Sequence, residues 1–108
     1  MFTEVKELWI EDLRANPELK GKRQLRDGEL FCVIGRLCEI YRKETGNGEW
    51  KNDQFLRHFT TMPQEVLGWA GIEEPFGDLV VNGENIVSIN DGTEATFPEM
   101  ADMIEKYL

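Results

Sequence analysis

The chain has 108 residues, 41% apolar and 31% charged, which fits one globular domain spanning residues 1–108 and excludes a disordered chain. Its formal charge of −9 argues against general nucleic-acid binding, because phosphate repels it, and no apolar run is long enough for a membrane span. The opening "MFTEVKELW" has acids where a signal peptide needs cations, so a cytoplasmic protein is expected.

The first predicted element runs from about Thr3 to Ala15. Thr3 is the expected N-cap, with Glu4 in the first turn. Phe2, Val5, Leu8, Trp9 and Leu13 recur at helical spacing, and Asn16-Pro17 ends the helix. Next comes "ELKGKRQLRDGELF". Between Lys20 and Arg26 it places Lys20, Lys22, Arg23 and Arg26 with no acid among them, against the sign of the whole chain.

A helix is expected from about Gly28 to Lys43. From Leu30 to Tyr41 only Gly35, Arg36 and Glu39 interrupt the apolar residues, so this is read as a central helix. Gly35 costs about 1 kcal/mol against alanine in a helix interior, and the reason expected for it is close approach of another backbone. Cys32 and Cys38 lie on this helix. Six residues at about 1.5 Å rise separate their Cα atoms by roughly 9 Å, beyond disulfide reach, so they are expected as reduced core thiols.

"TGNG" stops the helix. "NDQFLRHF" reads as a short helix capped by Asn52 or Asp53. Thr61 and Gln64 have capping-box spacing, with Pro63 in the first turn, and Val66, Leu67, Trp69 and Ala70 form an apolar face ended by Gly71. Asn82-Gly83 between two β-branched runs predicts a hairpin over 79–89. "NDG" at Asn90 to Gly92 is another turn. Thr96-x-x-Glu99 is a second capping box, followed by Phe97, Met100, Ala101, Ile104 and Leu108 on one face. The fold class is therefore α+β: about four helices packed around the apolar central helix at 28–43, with one small β-hairpin at 79–89.

For chemistry, one histidine (His58) and two cysteines six apart do not make a zinc site, and no phosphate loop or nucleophile elbow occurs, so no metal or cofactor is expected. Two uses are open to each remaining feature. Asp91 either bonds its own turn or, with Asn90, lines a polar pocket. Trp50, in the polar stretch "GNGEWKND", either anchors its loop or stacks on a ligand. The basic stretch is either a solvated loop paired with nearby acids or an anion site. The second use rests on position, since the cations end directly before the N-terminus of the predicted central helix.

The segments "LRDGELFCVIGRLCEIY", Trp50, "MPQEVLGWAGI" and "IVSINDGTEATFPEMADMIEKYL" resemble a family of short, uncharacterised proteins from bacteriophages and bacteria. The shared features are a Gly-x-Leu-Cys helix (Gly35 to Cys38), a Pro-x-x-Val-x-x-Trp-x-Gly helix (Pro63 to Gly71) and an Asn-Asp…Phe-x-x-x-Ala-Asp-x-Ile ending (Asn90 to Ile104). The chain departs from the pattern at Val33, where many members have a second cysteine, and at Met62, where they have leucine before the proline. The resemblance implies a phage or mobile-element origin, hence the cytoplasm of a bacterial host.

The reading that follows is a non-catalytic accessory protein binding an anionic, nucleotide-like ligand, in a phage setting a host immune signal. Lys22, Arg23 and Arg26 would hold phosphate, Trp50 would stack on a base, and Asn90 and Asp91 would supply polar contacts. One alternative is an acidic module that binds and blocks a basic host protein. Another is a small hydrolase, although no carboxylate spacing marks an acid–base pair.

Overall fold

Helix α1 occupies Thr3–Ala15, the limits the sequence predicts. In this computed structural model, which describes residues 1–73 and 79–108, it buries Val5, Trp9, Ile10 and Leu13. Phe2 is exposed and Leu8 only half-buried. The N-cap is Phe2, without a side-chain cap bond, so Thr3 is the first helical residue rather than the cap. A short 3₁₀ turn, Pro17–Leu19, follows.

Five α-helices and three two-stranded antiparallel sheets make up the described residues, so the molecule is α+β with two more hairpins than expected. Strands β1 (Arg26–Asp27) and β2 (Leu30–Phe31) form the first, where the sequence suggests the start of the second helix. Gly28 explains the difference. Its φ of 64° suits the first position of a two-residue turn, a conformation that costs a residue with a Cβ. Helix α2 therefore begins at Val33 and runs to Thr45, ended by left-handed Gly46. Its first six residues, Val33 to Cys38, are all buried, while Lys43 and Glu44 face solvent.

Strands β3 (Trp50–Lys51) and β4 (Gln54–Phe55) form the second hairpin. Asn52 and Asp53 are its turn, with φ of 52° and 60°, rather than helix caps. Both residue types tolerate the left-handed region, so the same pair serves either use. Helix α3 (Gln64–Ala70) starts after Pro63; Thr61 instead shares a hydrogen bond with the His58 ring. The third hairpin, β5 (Val80–Val81) and β6 (Glu84–Asn85), turns through Asn82-Gly83 as predicted. Its second arm stops short, because the Asn85 side chain accepts from the Val87 N–H and opens helix α4 (Ile86–Gly92). The second β-branched run is thus mostly helical. Helix α5 (Phe97–Tyr107) carries the full Thr96–Glu99 capping box and buries Phe97, Met100, Ala101 and Ile104.

The first and last helices pack together, and α2 packs on α1, α3 and α4. The Trp9 indole N–H donates to the Val33 carbonyl at 3.0 Å, tying α1 to the start of α2. Arg36 and Asp12 tie them again: Nε and Nη2 donate to Oδ2 and Oδ1 at 2.8 and 2.6 Å. Their side chains are only 4% and 12% exposed, so each charge depends on the other and on its two-point geometry. Gly35 meets Leu25. A Cβ at Gly35 would lie 1.8 Å from the Leu25 carbonyl oxygen, so the close backbone approach expected from the sequence is present.

Candidate functional site

The backbone of the basic stretch touches the first turn of α2 through Leu25, but its first cations, Lys20 and Lys22, lie at the carboxyl end of α4. The Lys20 ammonium donates to the Asn90 carbonyl at 3.1 Å. The Arg23 backbone N–H donates to Asp91 Oδ1 at 2.8 Å, with Arg23 held at φ 74°. Lys22 lies 3.5 Å from the exposed Glu94 carboxylate. The unpaired carbonyls at a helix C-terminus carry partial negative charge, and Asp91 and Glu94 add to it. Two cations of an acidic chain, Lys20 and Lys22, thus face a local concentration of acceptors. Burial, and then the charge of Lys22, hold the Lys20 ammonium below the usual lysine range.

Asn90 is fully buried and joins three segments. Its Oδ1 accepts from the Val33 N–H at 3.1 Å, and its Nδ2 donates to the Gly21 carbonyl at 3.0 Å and to Asp91 Oδ1 at 2.9 Å. The Val33 N–H is one of the orphan donors that open α2. The Gly35 N–H, another, donates to the Cys32 sulfur at 3.4 Å. The amino end of α2 is therefore closed from within, five residues later than the sequence placed it.

A second group forms around Arg26. Its Nε donates to the Gly28 carbonyl at 2.7 Å, across its own turn. Its guanidinium carbon lies 5.2 Å from the Phe31 ring centre and 5.5 Å from that of Trp50. Both are cation–π distances. Trp50 is half-buried, with its indole N–H donating to Glu39 Oε1 at 3.3 Å and its ring against Phe31 and Phe55. Burial opposes ionisation of Glu39, but hydrogen bonds from Arg42 and Trp50 outweigh it and hold the carboxyl below its usual range. The first two hairpins meet where the Gly28 N–H faces Asp53 Oδ2 at 3.4 Å.

Of the residues singled out from sequence, the structure brings Arg26 to Trp50, and Lys22, Arg23, Asn90 and Asp91 to the end of α4. No hydrogen bond or ion pair among the described residues joins the two groups. Sequence reasoning missed Glu39 as the anchor of Trp50 and Gly28 as the brace of Arg26. Glu39 carried one visible signal, a lone acid in the apolar run of α2. Gly28 acts through its backbone and carried none.

Cys32 and Cys38 are buried thiols. Burial pushes Cys32 up to about 11 and Cys38 well above its ordinary value. Only the thiolate is nucleophilic, so both are expected to resist iodoacetamide at pH 8 in the folded protein and to react in 6 M guanidinium. Mass spectrometry reads the outcome; rapid labelling of either in the native state would contradict it.

Among the described residues, no helix is long and apolar enough to cross a membrane, and no group of three or more His, Cys, Asp or Glu is placed to hold a metal ion. A family model described as "Domain of unknown function" (DUF8296) matches residues 1–108. No curated protein and no solved structure matches.

Proposed function

We propose, for a chain that belongs to the DUF8296 family of domains of unknown function, a non-catalytic role as a binder of an anionic, nucleotide-like ligand, with Arg26 as its main anion contact. The observation carrying this reading is how Arg26 is held. Its Nε is taken by the Gly28 carbonyl and its plane is supported by Phe31 and Trp50, while neither Nη group bonds to another described residue. A guanidinium fixed in this way loses little freedom on binding and presents a planar fork to phosphate or carboxylate. Trp50 then serves as the platform beneath the arginine. Arg23, whose side chain also bonds to no other described residue, is the second cation offered to the ligand. Lys22, Asn90 and Asp91 support the loop that carries Arg23. In the phage or bacterial setting implied by the resemblance, such a binder would sequester a nucleotide signal.

Isothermal titration against a nucleotide extract fractionated by charge, then against the purified hit, tests the proposal. Arg26→Gln is expected to weaken binding about 10–100-fold, the range for losing a charge-assisted hydrogen bond to the ligand, with an unchanged circular dichroism spectrum. Equal affinity in wild type and variant would reject it.

One observation favours a second reading. Glu4, Glu7 and Glu11 are exposed at i, i+3 and i+7 on α1. Like charges at such spacings oppose a helix, so a basic partner would relieve them. Under this reading, Glu7→Lys abolishes salt-sensitive capture of a basic protein and Arg26→Gln does not.

A further inference from the structure

The β3–β4 hairpin has a second face that the Arg26 group does not use. Trp50 pairs with Phe55, and their rings lie 4.9 Å apart on one side. Alternation along a strand sends the paired Lys51 and Gln54 to the other side. There they line a cleft of about 520 Å³ with Glu49, Asn52, Leu56 and Arg57. That volume suits a small metabolite.

The backbone around this cleft is unusually constrained. After the Asn52-Asp53 turn, Phe55 and His58 exchange both of their N–H···O=C bonds at 2.9 Å. Leu56 and Arg57 between them have φ of 49° and 70°. A second two-residue turn of the same hand thus follows directly on the first, and neither contains glycine. Left-handed conformations are uncommon for residues with a side chain and are a serious cost for leucine, so the surrounding structure must hold them in place. One consequence is visible in the hydrogen bonds. The adjacent N–H groups of Leu56 and Arg57 donate to no other described residue. The side chains of Lys51 and Arg57 likewise have no acid or hydrogen-bond partner among the described residues.

We propose that this cleft binds a phosphate monoester that also carries hydroxyl groups, such as a sugar phosphate. Two cations and two neighbouring N–H donors complement a phosphate group, which carries close to two negative charges at neutral pH. Glu49 on the rim sets the rest of the ligand. An acceptor-only carboxylate repels a second anion and accepts from a hydroxyl. A simple polyanion is thereby disfavoured against a hydroxylated ester. The site lies on the face opposite Trp50 and does not depend on the role given to Arg26.

The experiment is a ¹⁵N-resolved amide titration of the whole protein with inorganic phosphate, ribose 5-phosphate, ribose and sodium chloride. Saturable shifts at the Leu56 and Arg57 amides are expected with both phosphates, with ribose 5-phosphate the tighter, and none with ribose. Arg57→Gln should weaken ribose 5-phosphate at least 10-fold. Glu49→Gln should reduce its advantage over inorganic phosphate and leave phosphate itself unchanged or tighter. Shifts that stay linear, match those from sodium chloride at equal ionic strength, or persist unchanged in Arg57→Gln would overturn the site. Chemical-shift dispersion in each variant shows that the fold is intact.

Discussion

Gly35→Ala is expected to lose more than about 3 kcal/mol of folding stability, the upper end for inserting one carbon into a packed interior. Total stability is about 5–15 kcal/mol for a domain, so much of the chain would be unfolded or poorly packed at 37 °C. The added Cβ would sit 1.8 Å from the Leu25 carbonyl oxygen and 2.7 Å from its carbon. A Cβ has no rotamer to escape by, and both contacts are backbone, so either α2 or the Leu25 segment must move. The helix-propensity gain of about 1 kcal/mol does not compensate. Gly68→Ala is the matched control. Gly68 lies in α3, is exposed, and has nothing within 4 Å of the point where a Cβ would stand. The same substitution there should stabilise by about 0.5–1 kcal/mol. Urea unfolding of both variants gives the two values, and a Gly35→Ala protein as stable as wild type would show that the close approach is not obligatory.

Asn90→Ala carries the second large effect. It leaves the Val33 N–H and the Gly21 carbonyl without their partner beside a fully buried site, at about 1–3 kcal/mol each, and opens a small cavity. A loss of about 3–5 kcal/mol is expected. Asn90→Asp should not rescue it, because the carboxylate keeps the acceptor for Val33 but loses both donors and faces Asp91. The measurement bears on function as well. An asparagine whose main work is contacting a ligand can be replaced with little effect on unfolding. A midpoint within about 0.5 kcal/mol of wild type would return Asn90 to the ligand-contact role that the sequence suggested.

Much of this architecture was legible in the amino acids. The limits of α1 follow from its apolar spacing and from Asn16-Pro17. The capping box of α5 follows from Thr96 and Glu99. Gly35 announced a close contact, though not its partner. Where the reading failed, one local pattern served two structures. Leu30, Phe31 and Cys32 continue the apolar run of α2, and periodicity cannot separate a two-residue strand from a helical turn. Asn85 to Ile89 looks extended because it is β-branched, yet a side-chain cap and burial against the core make it helical. The cations of the basic stretch were misplaced for the same reason. Once Gly28 forms a turn, the cations no longer lead directly into a helix, and only the tertiary fold brings Lys20, Lys22 and the Arg23 backbone to the end of α4. Asp12 and Arg36 lie 24 positions apart, and nothing local couples them.

The bond from the Val33 N–H to Asn90 has a consequence for synthesis. Its two ends are 57 positions apart. At about 5–20 residues per second, a ribosome that has made Val33 needs on the order of 3–11 s to make Asn90. Throughout that interval α2 lacks one of the two acceptors that close its amino end, and α1 lacks α5. The nascent chain therefore emerges with α2 capped only by Cys32 and only partly covered, and the segments carrying α4 and α5 complete the fold late. The emergence of α4 and α5, rather than the appearance of α2, is the event that ends exposure of this protein's interior to chaperones and proteases.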